Sequence, residues 1–170
     1  MKTRQKGEGA PEPSTPWSEI APRLWMGGHQ WADALGQRHA AVIGTEFDLV
    51  ISLFTRPGHG PGPGVEHLVA ELPDGPLTAE QIQTVQQLAR TAAHAVQHER
   101  TVLVRCSAGY NRSGLVVAQT LIELGRPATA AIQLIRARRS SWALNNRTFG
   151  EYLGTGLDVA SLLVGLDTAT

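Results

Sequence analysis

The chain has 170 residues, of which 42% are apolar, and its 15 Lys+Arg balance its 15 Asp+Glu. That is one domain of ordinary size whose core needs no staple, with no basic field to suit nucleic acid or an anionic membrane surface. The one cysteine, Cys106, excludes an internal disulfide and a zinc site built from several thiolates, and it fits a reducing, cytoplasmic setting.

Met1 to Pro16 is rich in Pro, Gly, Lys and Glu and has no apolar stretch of signal-peptide length. It is expected to be a flexible tail ahead of a single domain spanning 17–170. Ile20 to Gly28 (IAPRLWMGG) predicts an opening loop and a short strand closed by a Gly-Gly turn, and Trp31 to Val42 a short helix. Phe47 to Phe54 (FDLVISLF) is a compact β-branched run that predicts a strand buried on both faces. Arg56 to Gly64 (RPGHGPGPG) is a loop by composition, Val65 to Leu72 a second strand, and Pro73 to Pro76 a tight, partly rigid turn.

Thr78 to His98 is the clearest helix. Thr78 and Gln81 have capping-box spacing, and Ile82, Val85, Leu88, Ala89, Ala92 and Val96 make one apolar stripe. Thr101 to Arg105 predicts a short buried strand, Ser113 to Leu124 an apolar helix stopped at Gly125, and Pro127 the first turn of a helix running to about Arg138. A last helix starts near Asn146, weakened by Gly154 and Gly156, with Asn145 and Asn146 read as its caps. Strands alternating with helices predict a single α/β domain, its central, mainly parallel sheet of four or five strands flanked by helices on both faces. No run of about 18 apolar residues occurs, so no membrane partner is expected. His94 and His98 lie one turn apart without a third ligand nearby, so no metal and no cofactor are expected, and the chain is taken as a monomer.

The stretch Val102 to Gly114 reads VLVRCSAGYNRSG. It runs from the end of a buried strand to the start of a helix, the position where open α/β sheets bind ligands. A loop this short can turn successive amides inward as a nest for an anion, and the following helix adds its positive end. Gly109 lets backbone approach the anion, Arg112 can hold two phosphate oxygens with its planar fork, and that field favours the thiolate of Cys106, placed for attack on phosphorus. Asp74 is the carboxylate in a Pro-flanked turn at the end of an upstream strand, with Asp48 and Glu71 as fallbacks for an acid–base role.

CSAGYNRS resembles the signature of the protein tyrosine and dual-specificity phosphatase superfamily: cysteine, five residues, arginine, then Ser or Thr. IAPRLWMGG, FDLVISL, LPDGPL and LNNRTFGEYL are similar to the opening segment, a core strand, the general-acid loop and the closing segment of its small dual-specificity members. The resemblance implies Cys106 as nucleophile, Arg112 as phosphate clamp, and backbone amides of Ser107, Ala108, Gly109, Tyr110, Asn111 and Arg112 as the cradle. It implies Ser113 as hydrogen-bond partner of the sulfur and Asp74 as general acid. It also implies a metal-independent hydrolase acting on phosphorylated protein substrates, phosphotyrosine first and phosphoserine or phosphothreonine besides. The rivals are a catalytically weak phosphoprotein-binding module, the same chemistry on a non-protein phosphomonoester, or a sulfurtransferase or arsenate reductase, which also uses a loop cysteine. One departure stands out: most members of the family have His before the cysteine, and this chain has Arg105.

Overall fold

A computed structural model describes residue 7 and residues 9–168. The strands β1 (Trp17–Ala21) and β2 (Leu24–Gly27) form an antiparallel hairpin turning through Arg23, which takes a left-handed φ of 67°. A second, separate hairpin pairs β3 (Gln30–Ala32) with β4 (Arg38–Ala40). The strands β5 (Leu49–Ser52), β6 (Glu66–Val69) and β7 (Val102–Arg105) complete a five-stranded sheet in the order β1-β2-β7-β5-β6, parallel from β2 onward. Every residue of β5 and β7 is buried, as the unbroken apolar run over Phe47 to Phe54 predicts for a strand covered on two sides.

The helices follow in chain order: α1 (Ala79–Gln97), α2 (Arg112–Glu123), α3 (Ala128–Arg138), α4 (Arg147–Thr155) and α5 (Leu157–Thr168). The capping box closes as its spacing predicts, with Gln81 N–H donating to Thr78 Oγ1 at 3.1 Å and Thr78 N–H to Gln81 Oε1 at 2.9 Å. The buried side of α1 is Ile82, Val85, Leu88, Ala89 and Ala92 together with Ala93 and Ala95. It shares one core with Leu24, Met26, Leu49, Ile51, Val102 and Val104 of the sheet and with Leu115, Ile135, Phe149 and Leu157 of the other helices. Each large apolar side chain so buried contributes roughly 1.5–3 kcal/mol.

The alternate residues Trp25, Val50 and Leu103 point to the opposite face and meet Trp17, Ile43, Phe47 and Val65. This second cluster contains no helix residue; strand and loop side chains cover it. The helix predicted over Trp31–Val42, which would have supplied a cover, is β3, a turn and β4. The Asp33 carboxylate accepts from Leu35 N–H at 2.9 Å and Gln37 N–H at 3.0 Å, diverting amides that a helix needs, and Trp31 stacks on His39 across the hairpin at 4.7 Å. The last helix is also two: Gly156, at φ 95°, ends α4, and α5 begins at Leu157.

In the first segment Met1 to Lys6 and Glu8 lie outside the described residues, and Ala10 and Pro13 are buried while Pro11, Ser14 and Thr15 are exposed. Ala10 is buried against Ala108 and Tyr110, Ala32 N–H donates to Pro13 O at 2.8 Å, and Glu12 accepts from Gln30 and Arg38 at 3.0 Å each. Composition signals a lack of apolar anchors, but extended proline-rich chain still offers carbonyls, and those are what the body binds. Among the described residues no helix is long and apolar enough to cross a membrane.

The outer helical layer is tied to the turn preceding α1 by one buried bond, Leu77 N–H to Tyr152 Oη at 3.0 Å. Tyr152→Phe leaves that amide bare. A loss of about 1–3 kcal/mol is expected, measured as a lower urea midpoint at unchanged m-value.

Candidate active site

The loop 106–111 joins β7 to α2 and hangs from the end of β2. Cys106 N–H donates to Gly27 O at 3.2 Å, and His29 N–H donates to Ser107 O at 2.8 Å. The approach is close enough to demand glycine on both sides. A Cβ on Gly28 would lie 2.6 Å from Ser107 O, and one on Gly109 would lie 2.5 Å from the Gly27 carbonyl carbon. Gly109 also sits at φ 77°, which other residues adopt only at a cost. The Gly-Gly pair predicted as a strand-ending turn is therefore also the seat of the loop.

On the outer side, Arg139 Nε and Nη2 donate to Gly109 O and Ala108 O, each at 3.1 Å. A trans peptide points its N–H opposite its C=O. With those two carbonyls turned to Arg139, the N–H groups of Gly109 and Tyr110 face the concave side of the loop. Arg139 Nη1 continues outward to Thr15 O at 2.9 Å, and Tyr110 Oη donates to Pro11 O at 3.0 Å. Tyr110 is thus 1% exposed beneath residues 10–15. Nothing in the spacing of Arg139 from Cys106 marks it as a partner of the loop.

The predicted residues converge. Cys106 Sγ and Ser113 Oγ are 3.3 Å apart, both buried, with Ser113 in the first turn of α2. The Arg112 guanidinium lies 5.4 Å from the centre of the Phe54 ring, with Nη1 donating to Leu72 O at 3.1 Å. Among the described residues, Arg112 Nε and Nη2 are the buried side-chain polar atoms without a hydrogen-bond partner. Asp74 is buried beside the loop, its Oδ2 accepting from Asn111 Nδ2 at 3.1 Å. The fallbacks lie elsewhere: the Asp48 carboxylate accepts from Thr101 at the opposite end of β7, and Glu71 accepts from Thr55 on the surface.

Arg105 does not turn toward Cys106. Alternation along β7 puts it on the Leu103 face, where it is buried with Nε donating to Ser52 Oγ at 2.9 Å, Nη1 to His59 O at 2.9 Å and Nη2 to Gly60 O at 2.6 Å. Burial draws its guanidinium down to about 10, so it stays charged at neutral pH. It thereby anchors the glycine–proline loop 56–64 to the sheet, and Ser52 Oγ, accepting from Arg105 Nε, is also hydrogen-bonded with His67 Nε2 at 2.7 Å. His29 completes the layer. Its Nε2–H donates to Phe54 O at 2.7 Å, which leaves Nδ1 to accept from His59 Nδ1 at 3.2 Å. A chain of contacts therefore runs from Arg105 through the loop 56–64 and His29 to Phe54, the ring under Arg112.

Two predictions follow from this layer. Arg105→Met strips partners from Ser52 and from two loop carbonyls, and a loss of about 2–4 kcal/mol is expected in a denaturant titration. His29, lowered to about 4 chiefly by desolvation and then by the charges of Arg105, His59 and Arg56, is neutral when folded. The unfolded chain takes up its proton near 6.5, so stability is full above that pH and falls as pH drops toward 4, by about 3 kcal/mol for this group. His59 and His67, lowered in the same direction first by desolvation, steepen the loss. Urea midpoints between pH 7.5 and 4.5 check it, and His29→Gln is expected to flatten the slope.

The sequence matches no protein-family model and no curated protein. The fold does have solved counterparts. A mouse dual-specificity phosphatase solved with zinc tungstate is 24% identical over 91% of this chain and 94% of its own, with a TM-score of 0.61. Human DUSP28 is 23% identical over 85% of this chain and 99% of its own, again at 0.61. The tyrosine phosphatase OH1 of Orf virus, described as having triple substrate specificity, is 16% identical over 86% of this chain and 90% of its own, at 0.59. In fold, this chain is a single α/β domain of the dual-specificity and tyrosine phosphatase kind.

Proposed function

We propose that the chain hydrolyses phosphomonoesters on proteins, phosphotyrosine foremost, through a phosphocysteine. The observation that carries this reading is the pair of bare Arg112 N–H groups, Nε and Nη2. A buried charged donor without a partner costs on the order of 1–3 kcal/mol or more, and a phosphoryl group presenting two oxygens to the guanidinium would remove that cost. The amides of Gly109 and Tyr110 and the N-terminus of α2 favour the same charge.

In the first step the Cys106 thiolate forms the S–P bond as the ester P–O bond breaks, and Asp74 gives its proton to the departing oxygen. In the second step Asp74 takes a proton from water as the O–P bond forms and the P–S bond breaks. The Ser113 hydroxyl, 3.3 Å from Sγ, donates to the sulfur as it becomes a thiolate again. Cys106, Arg112 and Asp74 are all buried, so a substrate gains access only when the segment carrying Asp74 or the Phe54 side shifts outward. This reading keeps phosphoserine and phosphothreonine as further substrates, since no long insertion deepens the mouth.

The test is hydrolysis of an aryl phosphate and of phosphotyrosine and phosphothreonine peptides with EDTA present. Cys106→Ser is expected to abolish turnover. Arg112→Lys, which keeps the charge and loses the fork, is expected to lower kcat/KM about 100-fold or more, and Asp74→Asn to lower it about 100-fold on the peptides. Folded wild-type protein that binds phosphopeptides without turnover would leave a binding module in place of an enzyme.

A further inference from the structure

Asn146 is the N-cap of α4 that its position predicts, its Oδ1 accepting from Phe149 N–H at 3.3 Å. That bond fixes the orientation of the side-chain amide, because a backbone N–H can only donate. The remaining Nδ2 group donates to Asp74 Oδ1 at 2.7 Å. Asn111 is oriented in the same way: its Oδ1 accepts from Asn146 N–H at 3.0 Å, and its Nδ2 donates to Asp74 Oδ2 at 3.1 Å and to Asn145 Oδ1 at 3.3 Å. Asp74, Asn111 and Asn146 are all buried. Both oxygens of one carboxyl are thus held by amides from two elements far apart in sequence, the phosphate-loop end of α2 and the start of α4.

Resting on the hydrolase reading, we propose that Asn146 is a positioning residue for the acid–base steps, holding the Asp74 carboxyl toward the oxygen that leaves. The turn Pro73–Pro76 alone leaves the Asp74 side chain several staggered rotamers, and two amide donors anchored in the body select one. The arrangement serves both halves of the reaction. A neutral carboxyl carries its proton on one oxygen and keeps lone pairs on both, so each oxygen still accepts its amide N–H while the proton points outward; the carboxylate of the second step accepts the same two donors. Asn146 itself exchanges no proton.

Capping and positioning can be separated by substitution. Asn146→Ser keeps a good N-cap and removes the donor to Asp74. Asn146→Asp also keeps the cap, but turns an acceptor toward the carboxyl. The measurement is kcat/KM for aryl phosphates whose phenols range from strongly acidic to as weakly acidic as tyrosine. It is made for wild type, both variants, Asp74→Asn, and the Asp74→Asn/Asn146→Ser double variant, with thermal midpoints alongside. Asn146→Ser is expected to lower its midpoint modestly, to keep its rate on the most acidic phenol, and to lose about 10- to 100-fold on phosphotyrosine. Asn146→Asp is expected to lose more, and the double variant to match Asp74→Asn alone. A loss uniform across the series, or one that multiplies with Asp74→Asn, makes Asn146 a cap alone and overturns the proposal. Turnover by wild type with no leaving-group dependence in Asp74→Asn instead removes Asp74 as the acid, a separate failure of the underlying reading that takes the proposal with it.

Discussion

A strand-to-helix loop that turns its amides to one side has to find partners for its carbonyls on the other. Most of the architecture around residues 106–111 answers that requirement. Arg139 takes the carbonyls of Ala108 and Gly109, His29 N–H takes that of Ser107, and Leu144 N–H takes that of Tyr110 at 3.0 Å. The glycines at 28 and 109 let the strand end come close enough for this to happen. Without those partners the carbonyls would compete for the interior, and the loop would lose its one-sided polarity.

Cations in this region bind to dipoles. Arg105 bonds to a hydroxyl and two carbonyls, Arg139 to carbonyls and hydroxyls, and Arg112 to one carbonyl. A guanidinium bonded to a carboxylate has its field largely cancelled at short range, whereas one bonded to carbonyls does not. Arg112 and Arg139 put two such groups beside one loop in a chain whose overall charge is zero, and their choice of partners is a property that composition cannot display.

What could be read from the sequence is what local rules govern. The apolar run of β5, the capping box of α1, the glycine stop after α2 and the VLVRCSAGYNRSG segment each carry their own signal within a few residues, and each has the expected form. The hairpin β3–β4 was hidden because a side-chain bond from Asp33 outweighed helix spacing in a short window. The packing of residues 10–16 was hidden because it depends on carbonyls, which every residue has. Asn146 was legible as a cap, but its second bond spans 72 residues to Asp74, and no periodicity reports a contact of that range. Arg105 was conspicuous as an oddity, while its direction came only from the register of β7.

The stretch from Pro11 to Thr15 accepts from Tyr110 and Arg139, the groups that back the loop, so the two are thermodynamically linked. An anion that stiffens the loop lessens what it costs to keep this stretch docked. By the reciprocity of coupled equilibria, a protein that drew the proline-bearing stretch off the body would weaken the hold on that anion by the same factor. Residues 11–15 are in that sense coupled to the loop from its outer side.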